Sequence, residues 1–226
     1  MNPIINTFKG GLIVSCQALE AEPLFGSETM GKMALAAKKG GAVGIRANTG
    51  IDIIEIKKAV SLPIIGLVKQ NYEDSEIYIT PTIKEVDEVI RAGADIIAFD
   101  ATNRIRPNGQ TITEFVEAVK EKYPNQLLMG DISTLEEGIF AADLGVDMIS
   151  TTLCGYTPYT SQYHSFNKDL LTNLVNETNI PIVAEGGIDT PELAAECIRL
   201  GAYAVVVGSA ITRPQEITKR FVQELP

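Results

Sequence analysis

The chain has 226 residues, 45% of them hydrophobic, and carries 29 acidic against 19 basic side chains for a formal charge of −10. That length can bury a sizeable core without staples, and no apolar run approaches the roughly 18 residues that suggest a membrane span. The acidic balance argues against a nucleic-acid partner, which needs clustered Lys and Arg, and obliges any anionic ligand to find a local positive site.

Along the chain, short β-branched or apolar runs alternate with stretches whose apolar residues recur at three and four spacing, the pattern of βα units. The runs predict strands at 11–17, 42–46, 64–69, 96–100, 127–131, 148–151, 182–185 and 204–207. Helices are predicted at 30–39, 83–92, 112–122, 135–144, 170–178, 192–200 and 215–223. Pro191 and Pro214 sit near helix starts, where a missing N–H costs nothing. Gly93, Gly145 and Gly201 follow helices, where a left-handed residue is favoured. After each of them the chain re-enters a strand: Gly93-Ala94-Asp95, Gly145-Val146-Asp147 and Gly201-Ala202-Tyr203. The polar stretch 71–80 reads as a loop insertion. Eight units of roughly 27 residues predict a single (β/α)8 TIM barrel over residues 1–226. The rival, a doubly wound open sheet with a dinucleotide site, lacks its Gly-x-Gly-x-x-Gly after the first strand.

Chemistry in such barrels sits at the C-terminal ends of strands. Those ends carry Gln17, Arg46, Lys69, Asp100, Asp131, Thr151 or Thr152, and Glu185. Side-chain alternation puts Ile13, Ser15 and Gln17 on one face, as it does Ile65, Leu67 and Lys69, and Met129 with Asp131. Lys69 ends an apolar run, where a cation must be paired or functional. Partial burial would lower its pKa toward the range of a general base; the alternative is a structural ion pair. Glu185 is a second candidate for chemistry or an anchor for its loop. Arg46 and Asp131 either meet the ligand or hold each other or Lys69 in place. Gln17 is a ligand to a hydroxyl or carbonyl, or a filler, and Asp100 reads as a strand-end cap. The last two strands break into Gly186-Gly187 and Gly208-Ser209, where backbone can approach a phosphate closely. With one histidine, His164, in a polar loop, neither a metal site nor a Cys–His nucleophile is expected, and nothing calls for a cofactor. The N-terminus lacks the features of a signal peptide. Cys16, Cys154 and Cys197 are odd in number and scattered, which points to a reducing cytoplasm.

The strings Ser15-Cys16-Gln17-Ala18, Gly44-Ile45-Arg46-Ala47-Asn48, Ile65-Gly66-Leu67-Val68-Lys69 and Met129-Gly130-Asp131-Ile132-Ser133 resemble the N-acetylmannosamine-6-phosphate 2-epimerase family. So do Ser150-Thr151-Thr152-Leu153-Cys154-Gly155-Tyr156-Thr157 and Ala184-Glu185-Gly186-Gly187-Ile188, and the likeness covers nearly the whole chain. It implies an enzyme of sialic-acid catabolism, a homodimer that interconverts N-acetylmannosamine 6-phosphate and N-acetylglucosamine 6-phosphate. It further implies proton transfer by Lys69 and Glu185, sugar contacts from Gln17, Arg46, Asp131, Thr152 and Tyr156, and a phosphate site at Gly186, Gly187, Gly208, Ser209 and Arg213. Two other readings of the same residues are a class I aldolase with Lys69 as Schiff-base nucleophile and a non-catalytic phosphosugar-binding barrel.

Overall fold

Eight parallel strands close into a barrel in chain order, in a computed structural model that describes residues 2–226. They are β1 (Leu12–Cys16), β2 (Gly44–Asn48), β3 (Ile64–Leu67), β4 (Ile96–Asp100), β5 (Leu127–Asp131), β6 (Met148–Ser150), β7 (Ile182–Ala184) and β8 (Ala204–Val207). A short α1 (Pro3–Asn6) precedes them. Then α2 (Ser27–Lys39), α3 (Gly50–Ala59), α4 (Ile83–Arg91), α5 (Ile112–Lys122), α6 (Leu135–Asp143), α7 (Lys168–Glu177) and α8 (Pro191–Arg199) follow β1 to β7 in turn. After β8 come α9 (Ser209–Thr212) and α10 (Pro214–Gln223). The chain therefore forms the expected (β/α)8 barrel. None of the helices among the described residues is long and apolar enough to cross a membrane.

The glycine re-entries work by a shared device. Gly93 and Gly145 take φ of +85° and +74°. The aspartate two residues later then clasps the neighbouring strand: Ile64 N donates to Asp95 Oδ2 and Leu128 N to Asp147 Oδ2, each at 2.9 Å. The backbone answers, with Asp95 N donating to Ile64 O and Asp147 N to Leu128 O. Reciprocal capping boxes start α4, α5 and α6 at Thr82/Glu85, Thr111/Glu114 and Thr134/Glu137, satisfying amide groups that a helix start leaves open.

Two segments depart from the sequence expectation. The sequence singles out no helical stretch between β2 and β3, yet α3 is there, capped by the Thr49 hydroxyl. It is rich in isoleucine, a middling helix former, and buries Ile53 and Ile56 while leaving Ile51 and Ile54 exposed, so its apolar pattern has no clear face. The stretch 71–80 is not a free insertion. It returns antiparallel on the end of β3, with Lys69 bridged to Ile79 and Thr80 N donating to Val68 O at 2.7 Å. Ile77, Ile79 and Thr80 are buried by that return, which lays the segment over the barrel mouth.

The barrel interior follows the period of two. Ile65, Leu67, Ile96, Met129, Met148, Val183 and Val206 pack inside, while their neighbours Ile64, Ile97, Leu128, Ile149, Ile182 and Val205 face the helices. Ile5 and Phe8 belong to the interior cluster. Toward the C-terminal ends the inward positions turn polar, at Ser15, Arg46, Asn48, Asp100, Asp131 and Ser150. One flank is left open. No residue of α10 is buried, and Phe221, Val222 and Leu225 are 73%, 59% and 69% exposed. Beside it, an apolar cavity of about 350 Å³ is lined by Leu12, Ala194, Ile198, Val205, Val207 and Ile211 among others.

Candidate active site

A cavity of about 580 Å³ lies at the C-terminal ends of the strands. Gln17, Arg46, Lys69, Thr152, Tyr156, Glu185, Gly186, Gly187, Gly208, Ser209 and Arg213 all line it. Of the expected site residues only Asp131 does not. It stands fully buried behind Arg46.

Arg46 is the hub. Its Nη1 donates to Asp131 Oδ1 at 3.0 Å and to Thr152 Oγ1 at 3.1 Å, and Nη2 pairs with Asp131 Oδ2. Nη1 also donates to Glu185 Oε2 at 2.5 Å. The sequence left open whether Arg46 and Asp131 serve a ligand or each other; they hold each other, and Arg46 reaches the cavity as well. Burial lowers the Arg46 pKa, but Asp131 and Glu185 outweigh it and hold the guanidinium above its ordinary value. Burial raises the Glu185 carboxyl above the usual range; Arg46 opposes this and Asp131 adds to it. Two carboxylates thus share one fully buried guanidinium, a costly arrangement unless every group is paired.

Hydroxyls complete the cluster. Thr152 Oγ1 lies 2.7 Å from Asp131 Oδ1, 3.1 Å from Glu185 Oε2 and 2.8 Å from Ser150 Oγ. One hydroxyl proton cannot serve both carboxylates. The contact to Glu185 therefore leaves room for a proton on the carboxyl itself. Thr151 pins the Glu185 backbone from both sides, donating to its O at 2.7 Å and accepting from its N at 3.0 Å.

Lys69 sits just past β3, its amide donating to Asn48 Oδ1 at 2.8 Å. Its ammonium makes no ion pair among the described residues. Its pKa is pushed down to about 8, first by burial, then by Arg46 and Arg213, with Glu185 and Glu22 opposing. Gln17 donates through Nε2 to Ser15 Oγ at 2.9 Å, which orients the amide. Its Oε1 and the Arg46 Nε are buried without a hydrogen-bond partner among the described residues.

At the other end of the cavity the backbone is unusual. Gly186 and Gly187 take φ of +94° and +70°, and a Cβ on Gly187 would stand 2.9 Å from Phe166 N. Only glycine suits that turn. Arg213 donates through Nη1 to Ser209 Oγ at 2.9 Å and pairs through Nε and Nη2 with Glu22.

Asp100 is the strand-end cap expected of it, accepting from Thr102 N at 3.0 Å, Thr102 Oγ1 at 2.7 Å and Arg104 Nη2 at 2.6 Å. His164 is exposed on its loop. Glu22, Tyr78 and Arg220 line the cavity but escape a reading of strand ends, because all three lie outside the strands. Burial, with Asp131 and Asp100, pushes the Tyr78 phenol up to about 12.

Residues 30–226 match the protein family described as "Putative N-acetylmannosamine-6-phosphate epimerase". The chain is 58% identical over 219 residues to a protein named for 2-epimerisation of N-acetylmannosamine 6-phosphate in Caldanaerobacter subterraneus subsp. tengcongensis, covering 97% of this chain and 92% of that one. It is 56% identical over 222 residues to the protein of the same name from Clostridium perfringens strain 13, covering 98% and 100%. Among solved structures, the N-acetylmannosamine-6-phosphate 2-epimerase from Clostridium perfringens matches with a TM-score of 0.95 at 55% identity, over 99% of this chain and 97% of that one. A thiamine phosphate pyrophosphorylase from Pyrococcus furiosus shares the fold alone, with a TM-score of 0.62 at 20% identity, over 96% and 93%.

Proposed function

The chain belongs to the N-acetylmannosamine-6-phosphate epimerase family, and we propose that its barrel mouth moves a proton at C2 of the sugar, with Lys69 as base and Glu185 as acid. The enzyme interconverts N-acetylmannosamine 6-phosphate and N-acetylglucosamine 6-phosphate, which differ only at C2. The C2 proton becomes acidic only beside a carbonyl, so the ring opens to the aldehyde first. Neutral Lys69 then takes the proton, negative charge develops on O1, and Glu185 steadies that charge with its own proton. Return of a proton to the opposite face completes the change.

One observation carries the assignment: a lysine without an ion-pair partner among the described residues, held near a pKa of about 8 at the wall of the cavity. Roughly a tenth of such a group is neutral at pH 7. The raised pKa of Glu185 supports its role as the proton donor. The unpartnered Gln17 Oε1 and Arg46 Nε supply an acceptor and a donor for the open-chain sugar, and Thr152 and Tyr156 share its wall. Asp131 serves by fixing Arg46. Gly186, Gly187, Gly208, Ser209 and Arg213 take the 6-phosphate, whose remote binding orients C2. Turnover in deuterium oxide, followed by proton NMR, should place deuterium at C2 of the product; a product without it refutes the scheme. Borohydride with substrate should leave Lys69 unmodified, since a trapped adduct is the mark of a Schiff-base aldolase.

The open flank supports a homodimer. Phe221 and Val222 of α10 and the apolar cavity beside α8 and β8 are both apolar, and one copy leaves them uncovered. A second copy laying its α10 there buries both. Light scattering should give twice the chain mass for the native protein and a monomer for Phe221→Glu; a native monomer refutes this. The three free cysteines support a cytoplasmic location.

A further inference from the structure

The least explained contact at the cavity joins residues 191 positions apart: Glu22, in the loop between β1 and α2, and Arg213, at the joint between α9 and α10. The backbone of Arg213 is not helical, with φ −119° and ψ 81°, so no helix fixes its long side chain. Glu22 takes one edge of the guanidinium, with Oε1 2.5 Å from Nε and Oε2 3.0 Å from Nη2. The remaining nitrogen, Nη1, donates to Ser209 Oγ at 2.9 Å, and both Arg213 and Ser209 line the cavity. Glu22 is itself tethered: Leu19 N donates to Oε2 at 2.8 Å and Gln215 Nε2 to Oε1 at 3.3 Å.

We propose that Glu22 is the positioning residue of the phosphate site, holding Arg213 by its Nε/Nη2 edge so that Nη1 stays beside Ser209 and faces the anion. The identity of that anion rests on the epimerase reading. An acid that merely competed with phosphate would need no tether of its own. Glu22 lines the cavity too, but it leaves Nη1 to Ser209 and is fixed by two anchors. The Arg213 hydrogen bond also keeps the Glu22 carboxyl below its ordinary range, so the clamp stays charged at neutral pH. Its charge reaches Lys69, where Arg213 lowers the pKa and Glu22 raises it. Removing Glu22 therefore disturbs both ends of the ligand in a defined direction: phosphate is held less well, and Lys69 titrates lower.

The test uses the full chain as Glu22→Ala and Glu22→Gln. Kinetics should show KM for the phosphorylated sugar and the competitive inhibition constant of inorganic phosphate rising together, each about tenfold, as when a partner that orients a binding group is lost. The fall in kcat should be smaller, and the pH midpoint of kcat/KM should move down. Unchanged constants would reduce Glu22 to scaffold, and tighter phosphate binding would make it a competitor; either overturns the proposal. If Glu22→Ala does not fold, Glu22→Gln keeps the shape and removes the charge. Calorimetric titration with inorganic phosphate separates the two readings. Should the native enzyme fail to epimerise, the epimerase reading falls, while phosphate affinity of native protein against Glu22→Gln still decides the role of Glu22.

Discussion

The pH dependence of kcat/KM follows directly from the environment of Lys69. Burial, reinforced by Arg46 and Arg213, brings its pKa from 10.5 to about 8. At pH 7 about a tenth of the enzyme then carries a neutral lysine, against roughly 0.03% for an unperturbed side chain, a gain of about 300-fold in competent base. Because kcat/KM reports the free enzyme, the bound phosphate does not alter this figure. The second ionisation of the substrate phosphate lies near 6, so measurements from pH 7 upward isolate the enzyme. Initial rates at low substrate should climb about fivefold from pH 7 to 8, bend there, and level off above. A curve that falls from pH 7 with no rise toward 8 would mean that loss of a proton, from Lys69 or Glu185, limits the rate, and neutral Lys69 would not be the acting base. A bend beyond pH 10 would mean that burial does not perturb the lysine, and the argument for its role would fail.

Lys69→Met should lose at least about 10²-fold in turnover and C2 exchange yet still bind inorganic phosphate. It should also melt higher at pH 7. A lowered lysine pKa penalises the folded protonated state, fully below about 8 and not at all above 10.5, so removing the amine relieves at most roughly 3 kcal/mol; an unchanged or lower melting temperature would refute this. Asp131→Asn breaks the buried pair with Arg46 and should cost about 3–5 kcal/mol by denaturant titration; a loss under about 1 kcal/mol would show that the pair is not desolvated. Asp52, in the first turn of α3, is raised by burial from 3.8 to about 6. Its ionised form is penalised in the fold, so Asp52→Asn should stabilise by about 2 kcal/mol above pH 7, after allowing for the favourable helix N-terminus, and lose that gain below pH 4. A gain that stays constant between pH 4 and 8 would rule out titration as its cause.

The barrel was legible because its signals are local. Gly93-Ala94-Asp95 and Gly145-Val146-Asp147 carry a left-handed turn and a strand clasp within three residues. Lys69 and Glu185 stood out because a charge closing an apolar run is costly unless used. The hidden parts depend on contacts that no window contains. Glu22 looks like any loop acid until Arg213 arrives 191 residues later. Tyr78 and Ile79 lie in a polar stretch, and only the antiparallel return onto Lys69 turns them toward the mouth. α3 was missed because its isoleucines point both inward and outward. The lowered pKa of Lys69 follows from burial, as its place at the end of an apolar run implies, and Arg46 adds to it.

In the proposed scheme the two proton transfers are coupled through Arg46. Taking the C2 proton turns Lys69 into a cation close to a permanently charged guanidinium, which by itself is uphill. Passing the Glu185 proton toward O1 makes that residue an anion in contact with Arg46, and a charged Glu185 raises the pKa of Lys69. Each transfer thus stabilises the product of the other: an ionised Glu185 favours protonated Lys69, and protonated Lys69 favours ionised Glu185. Asp131, locked on the far side of Arg46, stops the guanidinium from following either charge, so the coupling is felt at the reacting groups instead of being absorbed by side-chain motion. With the opposite face of C2 presented, the two transfers run in the reverse sense and return a proton to C2. The site therefore treats the two epimers alike at the charged centre, and the difference between them is left to which face of C2 receives the proton.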